Sequence, residues 1–168
     1  LGSQIALQGF FLQGTLFTGK LPPKLSRQER PPLFNTYRSR DGRWLVLALM
    51  GRAFWPRLCQ ALGISEVVQD PRFATPEKRL ENRRELIALM DTVFATKDRD
   101  EWLRRLEAND VMAAPVQDYT EVARDPQALE NEYIVDFQHP VLGATKVVGV
   151  PIRLSETPGR VRSAAPQL

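Results

Sequence analysis

The sequence predicts an α/β fold of the α+β kind, a small mixed or antiparallel sheet with flanking helices. Three observations carry that prediction. Asp41-Gly42 sits between two apolar runs and marks a hairpin. Apolar residues at helical spacing follow over 53–62 and 75–94. A second pair of short β-prone runs, 133–137 and 145–150, flanks a loop holding Pro140 and Gly143.

The elements follow in order. Residues 1–19 are apolar, with Ile5, Leu7, Phe11, Leu12, Leu16 and Phe17, and their helical spacing is weakened by Gly2, Gly9 and Gly14. So apolar a segment needs a protein surface to cover it. Residues 20–32 carry Pro22, Pro23, Pro31 and Pro32, which remove ladder donors and disfavour helix before them, so the segment reads as an extended linker.

Residues 36–38 and 43–49 pair across Asp41-Gly42. The second run, WLVLALM, is almost continuously apolar and predicts a central strand buried on both faces. A short helix over 53–62 places Phe54, Leu58 and Leu62 on one face and stops at Gly63. Thr75 and Pro76 open one long helix with the stripe Leu80, Ile87, Met90, Val93 and Phe94. Asp98 with Glu101, and Asp118 with Glu121, read as capping boxes. Residues 111–116 form a short strand, Asp125-Pro126 restarts a helical turn, and Pro151 ends the last strand of the second hairpin. From Ser155 the chain is polar and reads as a departing linker.

At 168 residues one domain is expected. The hydrophobic share of 43% and charged share of 26% are ordinary for a globular chain. The net charge of +3 comes from 23 Lys and Arg set among 20 Asp and Glu, which argues against nucleic-acid binding. No apolar run is long enough to span a membrane, no signal peptide is visible, and a single cysteine fits a reducing compartment, so a cytoplasmic location is expected.

Catalytic candidates are few. His139 is the only histidine and sits in a His-Pro turn, a poor place for a pre-organised base. One His and one Cys cannot build a soft-metal site, so no metal is expected. Cys59 reads as a buried, inert thiol, and Asp98, Asp118 and Asp125 as helix caps. The glycines at 2, 9, 14 and 19 match neither a dinucleotide fingerprint nor a phosphate loop. Arg38, Arg40 and Arg43 cluster at the hairpin end, as a solvated turn or as a contact for a phosphate or carboxylate. Trp44, Trp55 and Trp102 read as core anchors.

Taken together, TYRSRDGRWLVLAL, FWPRLCQALG, the DPRF turn with the following ENR helix, EWLRRLEANDVMAAPV, DPQALENEYIVDFQHPVLG and GVPIRLSETPG resemble the class III CoA-transferases, the CaiB/BaiF group, colinearly over residues 30–168. The resemblance implies a small α/β domain, residues 33–152, inserted in a Rossmann-like large domain. Residues 1–19 would be a tail of that large domain, 20–32 a linker, and 153–168 a linker returning to it. It implies coenzyme A as substrate and carrier, acyl-CoA and carboxylic acid substrates, and an interlocked homodimer when full length.

It further implies an aspartate nucleophile upstream of Leu1, passing through an acyl-aspartyl anhydride to an aspartyl-CoA thioester. No catalytic residue is therefore carried over to this chain, and the fragment alone is expected to be inactive. The loop after the second strand, with Leu49, Met50, Gly51 and Arg52, is expected to face the substrate, with Phe34 and Tyr37 bordering the acyl pocket. Racemases of the family have a glutamate at the position aligned with Gly51, which argues against that branch. The rival readings are a 2-methylacyl-CoA racemase and a non-catalytic interaction domain that binds a partner through residues 1–17.

Overall fold

A computed structural model of the chain describes residues 5, 8–49, 51 and 53–164, and for Phe10 and Phe11 the backbone alone. The chain divides into two compact units, Leu1–Pro115 and Val116–Leu168. The division falls inside the 33–152 span expected as one small domain.

The first unit opens with helix α1 (Gly9–Thr18), closed by Gly19. Gly9 and Gly14 do not prevent the helix from forming. Leu12, Leu16 and Phe17 are all exposed, so among the described side chains of this helix no buried apolar side occurs. A 3-10 turn (Arg27–Glu29) then precedes strands β1 (Phe34–Arg38) and β2 (Trp44–Ala48). The strands pair antiparallel with Tyr37 opposite Leu45 and Thr36 opposite Val46. Between them the Gly42 amide donates to the Ser39 carbonyl at 3.0 Å and the Ser39 amide to Arg43 at 2.9 Å, with Gly42 at φ +80°.

Helix α2 (Phe54–Leu62) follows, then a 3-10 turn (Ser65–Gln69), α3 (Pro76–Glu81), α4 (Arg83–Phe94), α5 (Arg99–Glu107) and strand β3 (Ala113–Val116). The sheet order is β1-β2-β3, which makes β2 the central strand, as expected.

Burial on β2 differs from the expectation. Leu45, Leu47 and Leu49 are buried, whereas Trp44 and Ala48 are exposed and Val46 is only half-buried. Side chains alternate across a strand, so this apolar run still has one covered and one open face. The covered face meets Leu86, Ile87, Met90 and Phe94 of α4 and Trp102 and Leu106 of α5 in a single core. Tyr37 stacks on Phe94 at 4.9 Å, and Phe94 meets Trp102 edge-on at 5.2 Å.

The single helix expected from Thr75 is two. Asn82 separates α3 from α4 at φ −95°, ψ 26°. Its side-chain amide donates to the carbonyls of Arg72 and Lys78, each at 3.0 Å, and this local capping competes with continued helix. Thr75 accepts from the Lys78 amide at 3.2 Å, as expected of a cap.

Asp98 does not form the expected capping box. Its carboxylate pairs with Arg40 at 3.0 Å, and Asp41 from the hairpin turn reaches the Arg99 amide at 3.4 Å instead. Together with the Arg40 amide on the Lys97 carbonyl at 2.9 Å, these bonds dock the turn onto the start of α5.

The second unit holds α6 (Tyr119–Val122), α7 (Pro126–Glu130) and the antiparallel hairpin β4 (Ile134–His139) and β5 (Gly143–Val148), as the sequence predicts. Asp118 and Glu121 make the full capping box, and Asp125 caps α7 through the Ala128 amide at 3.0 Å. A Cβ at Gly149 would collide with the Glu132 carbonyl, so the chain leaving β5 passes close against that backbone. None of the described residues in this unit is fully buried. A two-stranded hairpin without a core is marginal in water, so this unit depends on apolar cover beyond its own residues.

Replacing Trp102 by Ala should cost about 3–5 kcal/mol. The indole is buried, and its Nε1–H donates to the Phe94 carbonyl at 2.9 Å, so truncation leaves both a void and an orphan acceptor. Urea unfolding checks this, and a loss under about 1 kcal/mol would contradict the packing described here.

Candidate functional site

Arg27 joins the expected linker to the core. It pairs with Asp91 of α4, and its Nε donates to the Thr36 carbonyl at 2.7 Å. The buried Tyr37 hydroxyl donates to the Pro32 carbonyl at 2.7 Å, and the Phe34 amide to Pro31 at 3.0 Å. The Leu49 amide donates to Leu33 at 2.9 Å, extending the hairpin ladder by one step. The 31–33 segment is therefore fixed beside the end of β2.

Against these residues stands α3, oriented by Arg79. That side chain is 5% exposed, donates to the Phe73 carbonyl at 2.7 Å and lies over the Trp55 ring at 4.8 Å. The result is a groove of about 240 Å³ lined by Pro31, Pro32, Leu33, Leu49, Gly51, Pro76, Arg79 and Leu80. Gly51 sits at φ +104°, where an L side chain is strained, and a Cβ there would meet open space. The backbone at Gly51 is thus a bare part of the groove lining.

The expected site residues are spread around this feature. Leu49 and Gly51 line it, while Met50 and Arg52 lie outside the described residues. Phe34 stands on the open face of the hairpin and is 52% exposed. Tyr37 is 0% exposed, faces the core and reaches the groove only through its bond to Pro32. Pro31, Pro32, Leu33, Pro76, Arg79 and Leu80 were not expected at the site. The prolines read locally as linker and helix start, and only the register of Leu49 on Leu33 brings them together.

No carboxylate, hydroxyl, thiol or imidazole lines this groove among its described residues. It can hold and shield a group but not react with one. The remaining candidates are occupied elsewhere. His139 Nδ1 accepts from the Val141 and Leu142 amides, both at 3.1 Å, and shapes the second hairpin's turn. The hairpin arginines are engaged within the chain, Arg40 with Asp98, Arg43 with Asp100, and Arg38 on the Gly42 carbonyl. Desolvation raises the Asp41 carboxyl, but hydrogen bonds from Ser39 and from the Arg43 and Arg99 amides bring it below its ordinary value. Among the described residues no cluster of metal-ligating side chains occurs, and no helix is long and apolar enough to cross a membrane.

Burial pushes the Cys59 thiol up to about 12 against the pull of the Arg79 charge, and burial also raises the Tyr37 phenol well above its usual range. Both groups hold their protons more tightly folded than unfolded. Their contribution is therefore complete below their unfolded values, about 8.5 for Cys and 10 for Tyr, and is lost as pH rises above them. The urea midpoint should stay level up to about pH 8 and fall steadily above about pH 9. Cys59 should resist a disulfide reagent in native protein at about pH 8 and react on unfolding; rapid native reaction, or a level alkaline midpoint, would contradict this burial.

Comparison with known proteins gives this geometry a context. The family model described as CoA-transferase family III matches residues 1–168. A formyl-CoA:oxalate CoA-transferase of Streptomyces avermitilis is 33% identical over 110 residues, covering 66% of this chain and 27% of that protein. A succinyl-CoA–D-citramalate CoA-transferase of Chloroflexus aurantiacus is 33% identical over 134 residues, covering 80% of this chain and 33% of its own length. The crystal structure of a CaiB/BaiF family protein from Brucella suis superposes with a TM-score of 0.80 at 26% identity, over 97% of this chain and 42% of that one. The chain thus spans about a third of the length of these curated relatives. With the family model matched from end to end and the fold shared with a CaiB/BaiF structure, the chain belongs to CoA-transferase family III.

Proposed function

We propose that this chain forms the wall and lid of a site that moves CoA between an acyl-CoA and a carboxylic acid. The observation that carries this reading is the bare backbone of Gly51 lining a mainly apolar groove, in a chain matched throughout by the family model. The attacking aspartate belongs to polypeptide outside this chain, and so do most of the contacts to CoA. The relatives' names, with formyl, oxalate, succinyl and citramalate partners, support carboxylic acids and their CoA thioesters as the substrate class.

A carboxylate is a weak, strongly hydrated nucleophile. It becomes effective when water is excluded and the thioester carbon is held within reach. Gly51 permits backbone to lie directly over the thioester, and its sequence neighbours Met50 and Arg52 belong to the same proposed substrate loop. Phe34 borders the acyl group from the open face of the hairpin, and Tyr37 acts by holding the Pro32 wall of the groove. The lack of a reacting group in the groove supports a shielding role and an inactive isolated fragment. In this reading the full-length protein is an interlocked homodimer working in the cytoplasm without a metal.

The full-length protein containing this chain should transfer CoA from an acyl-CoA to an isotopically labelled carboxylic acid, and the chain alone should transfer none. Replacing Gly51 by Val should lower kcat/KM by about tenfold or more through strain and intrusion at the thioester. Absence of transfer from any donor would overturn the assignment. Deuterium exchange at the α carbon of a 2-methylacyl-CoA, without transfer, would favour the racemase reading.

A further inference from the structure

We infer that the groove framed by residues 31–33, by Leu49 with Gly51 and by residues 76–80 receives a hydrocarbon acyl tail and favours it over a short acyl group. The inference rests on the transferase reading, since it places the reacting thioester at Gly51.

Size and lining point the same way. A cavity of about 150 Å³ takes a benzene-sized group. At about 240 Å³ this groove has room beyond that, while being too small for a whole CoA thioester. Its walls are pre-formed, because Pro31, Pro32 and Pro76 have fixed φ and the Pro32 carbonyl is held by Tyr37. Rigid apolar walls can accept a hydrocarbon chain without first being ordered.

Leu80 supplies the most specific observation. It belongs to α3, which the break at Asn82 separates from α4 and its buried stripe. It lines the groove and is 47% exposed, although it was expected in the core. The Arg79 guanidinium donates to the Phe73 carbonyl and lies over the Trp55 face. The other described lining side chains offer apolar contact.

Steady-state transfer by the full-length protein from acetyl- and hexanoyl-CoA to one acceptor acid tests the inference. Hexanoyl should be preferred over acetyl. Leu80→Trp, which fills the groove, should lower the hexanoyl-to-acetyl ratio of kcat/KM by about tenfold, the scale of a methylene or more lost from an apolar pocket. Leu80→Ala, which widens it, should move the preference toward longer chains and keeps the test open if the larger residue is not tolerated. Ratios within about twofold of the unmodified protein in both variants, with transfer still occurring, would overturn the inference and leave the transferase reading standing. No transfer from any donor by the unmodified protein would remove both.

Discussion

The covered face of the β1–β2 hairpin, closed against α4 and α5 by the column Tyr37–Phe94–Trp102, is the contact on which the rest of the first unit depends. Alternation along the strands sends Asn35, Tyr37, Leu45, Leu47 and Leu49 to that face. Tyr37 contributes twice. Its ring stacks on Phe94 in the core, and its hydroxyl ties Pro32, so the proline segment cannot leave the sheet edge without exposing an aromatic side chain and losing a buried hydrogen bond. Asn35 reinforces the same join, donating to the Arg27 carbonyl at 2.9 Å. The groove beside Gly51 is a consequence of that closure, because both its proline wall and its β2 end are fastened to the same core.

A site made this way is suited to exclusion rather than reaction. Its lining of prolines, leucines and bare backbone has nothing to donate to a transition state except a dry, shaped boundary. That is a useful contribution when the nucleophile is a carboxylate, whose hydration opposes attack. Elsewhere in the chain the one histidine is held in a turn and the one cysteine is buried. The uncovered apolar side chains of α1 and the coreless second unit fit the same picture of a part that is completed by other polypeptide.

Local signals were legible where one residue fixes one conformation. Asp41-Gly42 marked the hairpin, Gly63 the end of α2, Thr75-Pro76 the start of α3, and Asp118 with Glu121 a capping box. The readings that failed each turned on a distant partner. WLVLALM looked buried on both faces because composition does not reveal that one face of the sheet is left open. Asp98 looked like a cap until Arg40 from the hairpin claimed its carboxylate and Asp41 took the amide. The helix break at Asn82 depends on the Arg72 carbonyl, ten residues earlier. The groove was the least visible feature, since residues 31–33 and 76–80 carry no shared motif and meet only through tertiary pairing. Gly51 was singled out by the family resemblance, and it stands at a positive φ.

Hydrogen exchange of the full-length protein with and without a non-hydrolysable acyl-CoA measures the central claim most directly. The account expects new protection of the amides at Leu49, Gly51, Leu33 and Leu80, with the backbone at Gly51 among the most strongly affected. Protection confined to other segments, with these amides exchanging as in free protein, would contradict the claim that this face closes over the thioester.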